Sequence, residues 1–166
     1  MVDAPGPNKF LGRGGAWVLI QFVLMTAVVL MAMLFGGDWT RIGVIVVGGM
    51  LFAGGAVFGI AGVNVLGRNR TTFPQPLADA ELVQHGIYAR VRHPLYTGVM
   101  LLSLGWALIW QSPAAFVTAL VQIPFFLAKA RREERWLREK FPGYAEYARR
   151  VPRFLPRPRP SPKVGL

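Results

Sequence analysis

Cysteine is absent from this chain, which excludes disulfides, thiolate-bound metals and cysteine nucleophiles. Acidic residues are scarce: eight Asp and Glu stand against 19 Lys and Arg, a formal net charge of +11. Charge of either sign is missing from three long stretches, 16–37, 42–67 and 94–128. No small-x-small cleavage site follows the first of these, so a retained helix is expected there rather than a signal peptide. What remains is apolar. Of 166 residues 53% are hydrophobic and 16% charged, short for two domains and too apolar for an ordinary soluble one. A helix needs roughly 20 apolar residues to cross a bilayer core, and the first two stretches each suffice for one crossing. The third is interrupted at Gln111-Ser112-Pro113. It therefore reads as two short spans, 95–110 and 113–128, joined by a tight turn. The expected fold is an all-α integral membrane protein with about four transmembrane helices, the last two forming a hairpin at the short limit of a crossing.

The positive charge is unevenly placed. Lys9 and Arg13 precede the first helix, and Arg68, Arg70, Arg90 and Arg92 lie between helices two and three. Twelve of the 19 cations fall from Lys129 onward, while the first loop holds only Arg41 and the 111–112 turn none. The positive-inside rule then puts both termini and the 67–93 loop in the cytoplasm, with a bacterial inner membrane as the expected location. A basic tail next to a membrane is explained by topology and attraction to anionic lipid. No nucleic-acid partner is expected, although the charge alone would fit one.

Helix two is rich in glycine, and Gly55 with Gly59 makes a GxxxG pair that allows close helix packing, read here as packing inside the bundle. Pro74 and Pro76 mark the following stretch as a loop. Residues 86–98 read GIYARVRHPLYTG. Pro94 suits the first position of a helix, so Arg90, Arg92 and His93 stand at a helix N-terminus. Free N–H groups and the helix dipole there favour an anion. Such polar groups at the mouth of an apolar helix mark a site, because near a bilayer they are costly without partners.

Beyond Ala128 an amphipathic helix is expected over 129–140. Phe126, Ala130, Leu137 and Phe141 fall on one face, and Glu133 sits in the middle of that stripe. Glu133 could pair with Lys129 at i,i+4, yet a carboxylate central in an apolar face is less expected than one on a charged flank. Glu134 lies about 100° further round, nearer Arg131 and Arg138, and reads as a solvated or paired surface residue. Residues 141–144 form a turn. Tyr144 and Tyr147, among arginines, read as interfacial anchors. The proline-rich tail from Pro156 reads as disordered.

Taken together, LVQHGIYARVRHPLYTG at 82–98, an apolar hairpin, and EERWLREKFPGYAEYARRVPRFLP at 133–156 resemble the isoprenylcysteine carboxyl methyltransferase family, whose bacterial membrane members are related to phospholipid N-methyltransferases. The likeness covers about 66–156. With the charge and hydropathy pattern it divides the chain into four segments: a cytoplasmic start at 1–14, two transmembrane helices over 15–66, a methyltransferase core over 67–155 and a basic tail over 156–166. It also implies S-adenosylmethionine as cofactor, held in a cytoplasm-facing pocket between the loop before helix three and the C-terminal amphipathic helix. Leu82 and Val83 would line the adenosine side and Tyr88 would pack on the cofactor. His93, Pro94, Leu95 and Tyr96 would form the turn around its methionine part, with Arg90 or Arg92 near its carboxylate, and Glu133 would be the contacting carboxylate. The family's substrate-contacting arginine falls on Lys129, and Arg131 or Arg132 could take over its role. Lysine offers a point charge where arginine offers a fork. No metal is implied.

The acceptor stays open between a carboxylate on a lipidated or hydrophobic molecule and a phospholipid amine. An amine requires a base, for which His93 and Glu133 are available. The competing class is a non-catalytic membrane scaffold or transport accessory whose arginines only set topology.

Overall fold

The computed structural model describes residues 12–69, 71, 73–77 and 79–157. Lys9, Arg70, most of the 1–14 segment and the tail beyond 157 lie outside them. Among the described residues there are five α-helices: α1 Gly15–Leu34, α2 Ile42–Leu66, α3 Pro94–Ile109, α4 Pro113–Lys140 and α5 Tyr144–Arg150, with single 3-10 turns at Gly67–Asn69 and Gly86–Ala89. Three helical stretches are long and apolar enough to cross a membrane, Gly15–Leu34, Ile42–Asn69 and Pro113–Lys140, and Pro94–Ile109 is a shorter apolar helix. The expected all-α membrane architecture is observed. Large apolar side chains such as Leu19, Met33, Met50, Val57 and Val117 face outward on the helices, as lipid contact requires.

α3 is the short element, at 16 residues roughly 24 Å long. Its hairpin nevertheless meets the α1–α2 loop, where the Gly37 N–H donates to the Trp110 carbonyl at 2.9 Å and Trp39 packs edge-on against Trp110. Ser112 caps α4 by accepting from the Ala115 N–H, and Pro113 takes the first helical position. The amphipathic segment is no separate helix. α4 runs unbroken for 28 residues, from the apolar turn through Pro124 into the basic end.

α2 packs on α3, α1 packs on α4, and α3 bridges the two pairs. Glycine sets the α2–α3 distance. A Cβ on Gly55 would lie 2.7 Å from the Gly98 carbonyl, and one on Gly105 2.5 Å from the Phe52 nitrogen. Gly55 thus serves packing within the bundle, as the sequence suggests, whereas a Cβ on its GxxxG partner Gly59 would meet nothing within 4 Å. Between α1 and α4 the contacts include polar ones. The fully buried Gln122 accepts from Ser103 Oγ and donates to the Leu24 carbonyl.

The 71–85 loop folds back over the basic end of the bundle. Pro74 is buried against Gly14, Asn69 Oδ1 accepts from the Glu81 N–H at 2.8 Å, and Lys140 Nζ donates to the Leu77 carbonyl. The chain after α5 returns to the start of α3, and together these segments enclose a cleft.

A candidate cofactor cleft at the basic end

The cleft encloses about 800 Å³ of space when its open side is counted. Its floor is the start of α3, with His93, Leu95 and Tyr96. One wall is α4 with Glu133 and Leu137, and the other is the loop with Leu82 and Val83. Tyr88 and Arg92 close one end together with Tyr144 and Tyr147 from α5. Eight of the expected residues thus line one cleft: Leu82, Val83, Tyr88, Arg92, His93, Leu95, Tyr96 and Glu133. Pro94 starts α3 but packs under Gly62 of α2 instead of lining the cleft. Lys129 is fully buried beside it, with Nζ 5.2 Å from the Tyr96 ring centroid. Arg131 is exposed and lines no part of it.

Two adjacent glutamates organise the chemistry. Glu133 lies at the cleft wall with its side chain 25% exposed. The Tyr96 hydroxyl donates to its Oε2 at 2.6 Å, and His93 Nδ1 stands 3.7 Å from the same oxygen. The His93 and Tyr96 rings are stacked 5.3 Å apart at 2°. Glu134 is buried in a ring of donors. Arg92 Nη2, His93 Nε2 and Arg153 Nε donate to its Oε1 at 2.9, 3.1 and 2.8 Å, and Arg153 Nη2 donates to Oε2 at 2.7 Å. His93 thus turns Nε2 to Glu134 and Nδ1 to Glu133, a carboxylate on each side of the ring.

This arrangement corrects the expectation for Glu134. It is no surface residue. The buried row on α4 runs Phe126, Ala130, Glu134 at i,i+4 steps, whereas Leu137 and Phe141 are only half-buried at the cleft. The stripe drawn through Leu137 and Phe141 places the helix face too far toward Glu133. The missing neighbour is the 151–154 segment, which covers the flank of Glu134 and brings Arg153 to it.

That segment also corrects the free N-terminus of α3. The Arg92 and His93 N–H groups donate to the Pro152 and Arg153 carbonyls, both at 3.0 Å. Pro94 has no N–H, so the first-turn amides of Leu95 and Tyr96 are the ones left to face the cleft. Arg92 Nη1 donates to the Val151 carbonyl at 3.0 Å and to the Ala148 carbonyl, and Thr97 Oγ1 donates to the Phe154 carbonyl at 2.9 Å. The tyrosines, likewise, are not interfacial anchors. Tyr144 and Tyr147 are buried in a cluster with Val151, backed by Leu82, Leu137 and Phe141. Burial raises the pKa of Tyr88, Tyr144 and Tyr147 well above the ordinary phenol value, so all three keep their protons. The Tyr147 hydroxyl uses its proton on the Tyr88 carbonyl at 2.7 Å. The hydrogen bond to Glu134 raises the pKa of Arg153 further.

Two buried polar atoms beside the cleft have no partner, Arg92 Nε and the Tyr144 hydroxyl. Such atoms are costly unless a ligand meets them, and both can donate to an anion. The lining combines the arginine and tyrosine donors of Arg92 and Tyr144, the carboxylate of Glu133 and the apolar side chains of Leu82, Val83 and Leu137. Of the lining, Asn69 and Glu81 are not singled out in the sequence, and Leu137, Phe141, Tyr144 and Tyr147 are read there only as an apolar stripe and as interfacial anchors. The Tyr144–Tyr147 spacing and the Val151-Pro152-Arg153 end of the second block are the signals that carry part of this.

A family model described as phospholipid methyltransferase matches residues 44–143. Over 163 residues the chain is 36% identical to the cobalt-zinc-cadmium resistance protein CzcN of Cupriavidus metallidurans, covering 90% of this chain and 67% of that protein. It is 30% identical to the nickel-cobalt-cadmium resistance protein NccN of Alcaligenes xylosoxydans xylosoxydans, covering 94% and 71%. It is also 37% identical over 78 residues to protein-S-isoprenylcysteine O-methyltransferase B of Arabidopsis thaliana, covering 46% of this chain and 40% of that enzyme.

Proposed function

The chain belongs to the phospholipid methyltransferase family, and from that premise we propose that it is an integral-membrane, S-adenosylmethionine-dependent methyltransferase that O-methylates a hydrophobic or lipidated carboxylate. The observation that carries the cofactor reading is the cleft itself, whose lining holds unpartnered Arg92 Nε and Tyr144 hydroxyl and a half-satisfied Glu133. When bound, the cofactor supplies an electrophilic methyl group on a sulfonium centre. Arg92, Tyr144 and the first-turn amides of α3 would receive its carboxylate. Glu133 would receive its ammonium or a ribose hydroxyl, and Leu82, Val83 and Leu137 would cover its adenine. The faces of Tyr88 and Tyr96 suit a sulfonium.

Methyl transfer requires alignment and exclusion of water more than proton transfer. The buried Glu134 ring serves alignment, because it locks Arg92 and His93 in place before any ligand arrives. A carboxylate acceptor is already a nucleophile and needs only a cation to orient it. Lys129, against the inner face of Tyr96, is the cation best placed for that, and Arg131 is not. The polar cofactor would enter from the cytoplasm, where the basic end lies by its charge, and the acceptor from the bilayer side.

Phospholipid amine N-methylation is the second reading, favoured by the family model and by the placement of His93 and Glu133, two candidate bases, side by side at the cleft wall. Methyl-labelled S-adenosylmethionine given to membranes that contain the protein separates the two. A base-labile label in the lipid-soluble product supports the ester, and a base-stable label shows the amine. No label above that of membranes lacking the protein contradicts both.

A further inference from the structure

We propose that Gln21 of α1, which lies outside the stretch matched by the family model, is a positioning residue of the methyl-transfer site. The inference rests on the cofactor reading of the cleft. Lys129 is 1% exposed among apolar side chains, where an ammonium without an acceptor is severely destabilising. It has two partners. Gln21 Oε1 accepts from Nζ, and the Tyr96 ring lies under it with its centroid 5.2 Å away. The same Tyr96 donates its hydroxyl to Glu133 Oε2 at 2.6 Å and stacks on His93. A continuous chain therefore runs Gln21–Lys129–Tyr96–Glu133, from a lipid-facing helix into the cleft wall.

The register of α1 on α4 is set to make this contact. Gln122 donates to the Leu24 carbonyl two helical turns before Lys129. From Gln122 to Lys129 is roughly 10 Å along α4, while from Leu24 back to Gln21 is roughly 4.5 Å along α1. The long lysine stem, leaning toward its helix N-terminus, spans the difference. Gln21 is thus brought to Lys129 by a separate hydrogen bond, that of the buried Gln122, and not by chance contact. With its carbonyl in place the ammonium stays against Tyr96, and the Tyr96 hydroxyl stays on Glu133. Without it, the cation must seek Glu133 directly or leave, and either movement displaces Tyr96 from the cleft wall.

The test uses the full chain purified in detergent, in two arms. In the first, without cofactor, Gln21→Leu lowers the melting temperature by several degrees, and adding Lys129→Met restores it, because the buried charge has gone. In the second, titration with S-adenosylmethionine shows Gln21→Leu binding about tenfold more weakly and Gln21→Glu within about threefold of wild type, since a carboxylate oxygen also accepts. Gln21→Leu adds nothing in a Lys129→Met background. Unchanged melting in the first arm overturns the pairing. Unchanged binding, or additive losses with Lys129→Met, overturns the positioning role. If wild-type protein fails to bind S-adenosylmethionine, the cofactor reading falls and the positioning role with it, while the melting cycle still decides whether Gln21 holds Lys129.

Discussion

Glu133 and Glu134 are neighbours on one helix with the same side chain, and the fold uses them in opposite ways. Glu134 is enclosed by Arg92, His93 and Arg153, and its oxygens are fully committed to donors of the protein. Glu133, half-buried, holds one hydroxyl and keeps acceptor capacity turned to the cleft. The difference teaches how a cation-rich membrane end can be both stable and receptive. One carboxylate neutralises the arginines that build the site, and the other remains for what enters it. A buried carboxylate with both oxygens engaged by the protein anchors structure; one with an oxygen to spare can still accept from a ligand.

The comparison breaks most visibly at Glu134. Glu134→Gln removes the charge that compensates Arg92 and Arg153, and a loss of roughly 3–5 kcal/mol is expected, read as a large drop in melting temperature without any ligand present. The surface expectation for Glu134 would have made this change mild. Glu133→Gln should do the reverse. The melting temperature stays close to wild type, while S-adenosylmethionine binding weakens roughly 10- to 100-fold in calorimetric titration, as a lost charge-assisted hydrogen bond of about 1.5–3 kcal/mol requires. Arg153→Lys keeps the charge and loses the fork on Glu134. Its expected cost is about 1–2 kcal/mol in stability with cofactor affinity changed only severalfold, measured on the same two instruments. Arg131→Ala, exposed and away from the cleft, should change neither stability beyond about 0.5 kcal/mol nor binding. A binding loss there would show that the acceptor side of the site lies on the outer face of α4.

Much of this was legible in the residues. Charge-free runs marked the membrane helices, Pro94 marked the start of α3, and the pairing of the 86–98 block with Glu133 marked two walls of the cleft. What stayed hidden depends on contacts far apart in sequence. Helical phase separates faces only when the neighbours of a helix are known, and Glu134 is inward because a segment 17 to 20 residues later covers it. Tyr144 and Tyr147 carry the composition of an interface yet pack into the cluster that closes the cleft. The bond from Gln21 to Lys129 crosses 108 residues and joins a helix that periodicity alone describes as lipid-facing.

The account's central claim is that the Glu133 wall belongs to a cofactor cleft. Titration of S-adenosylmethionine into the purified protein and its Glu133→Gln variant, with folding of both verified by melting, tests it most directly. The account predicts saturable binding to the wild-type protein that weakens at least tenfold in the equally stable variant. Equal affinity in the two proteins, or no binding by the wild-type protein at millimolar cofactor, would contradict it.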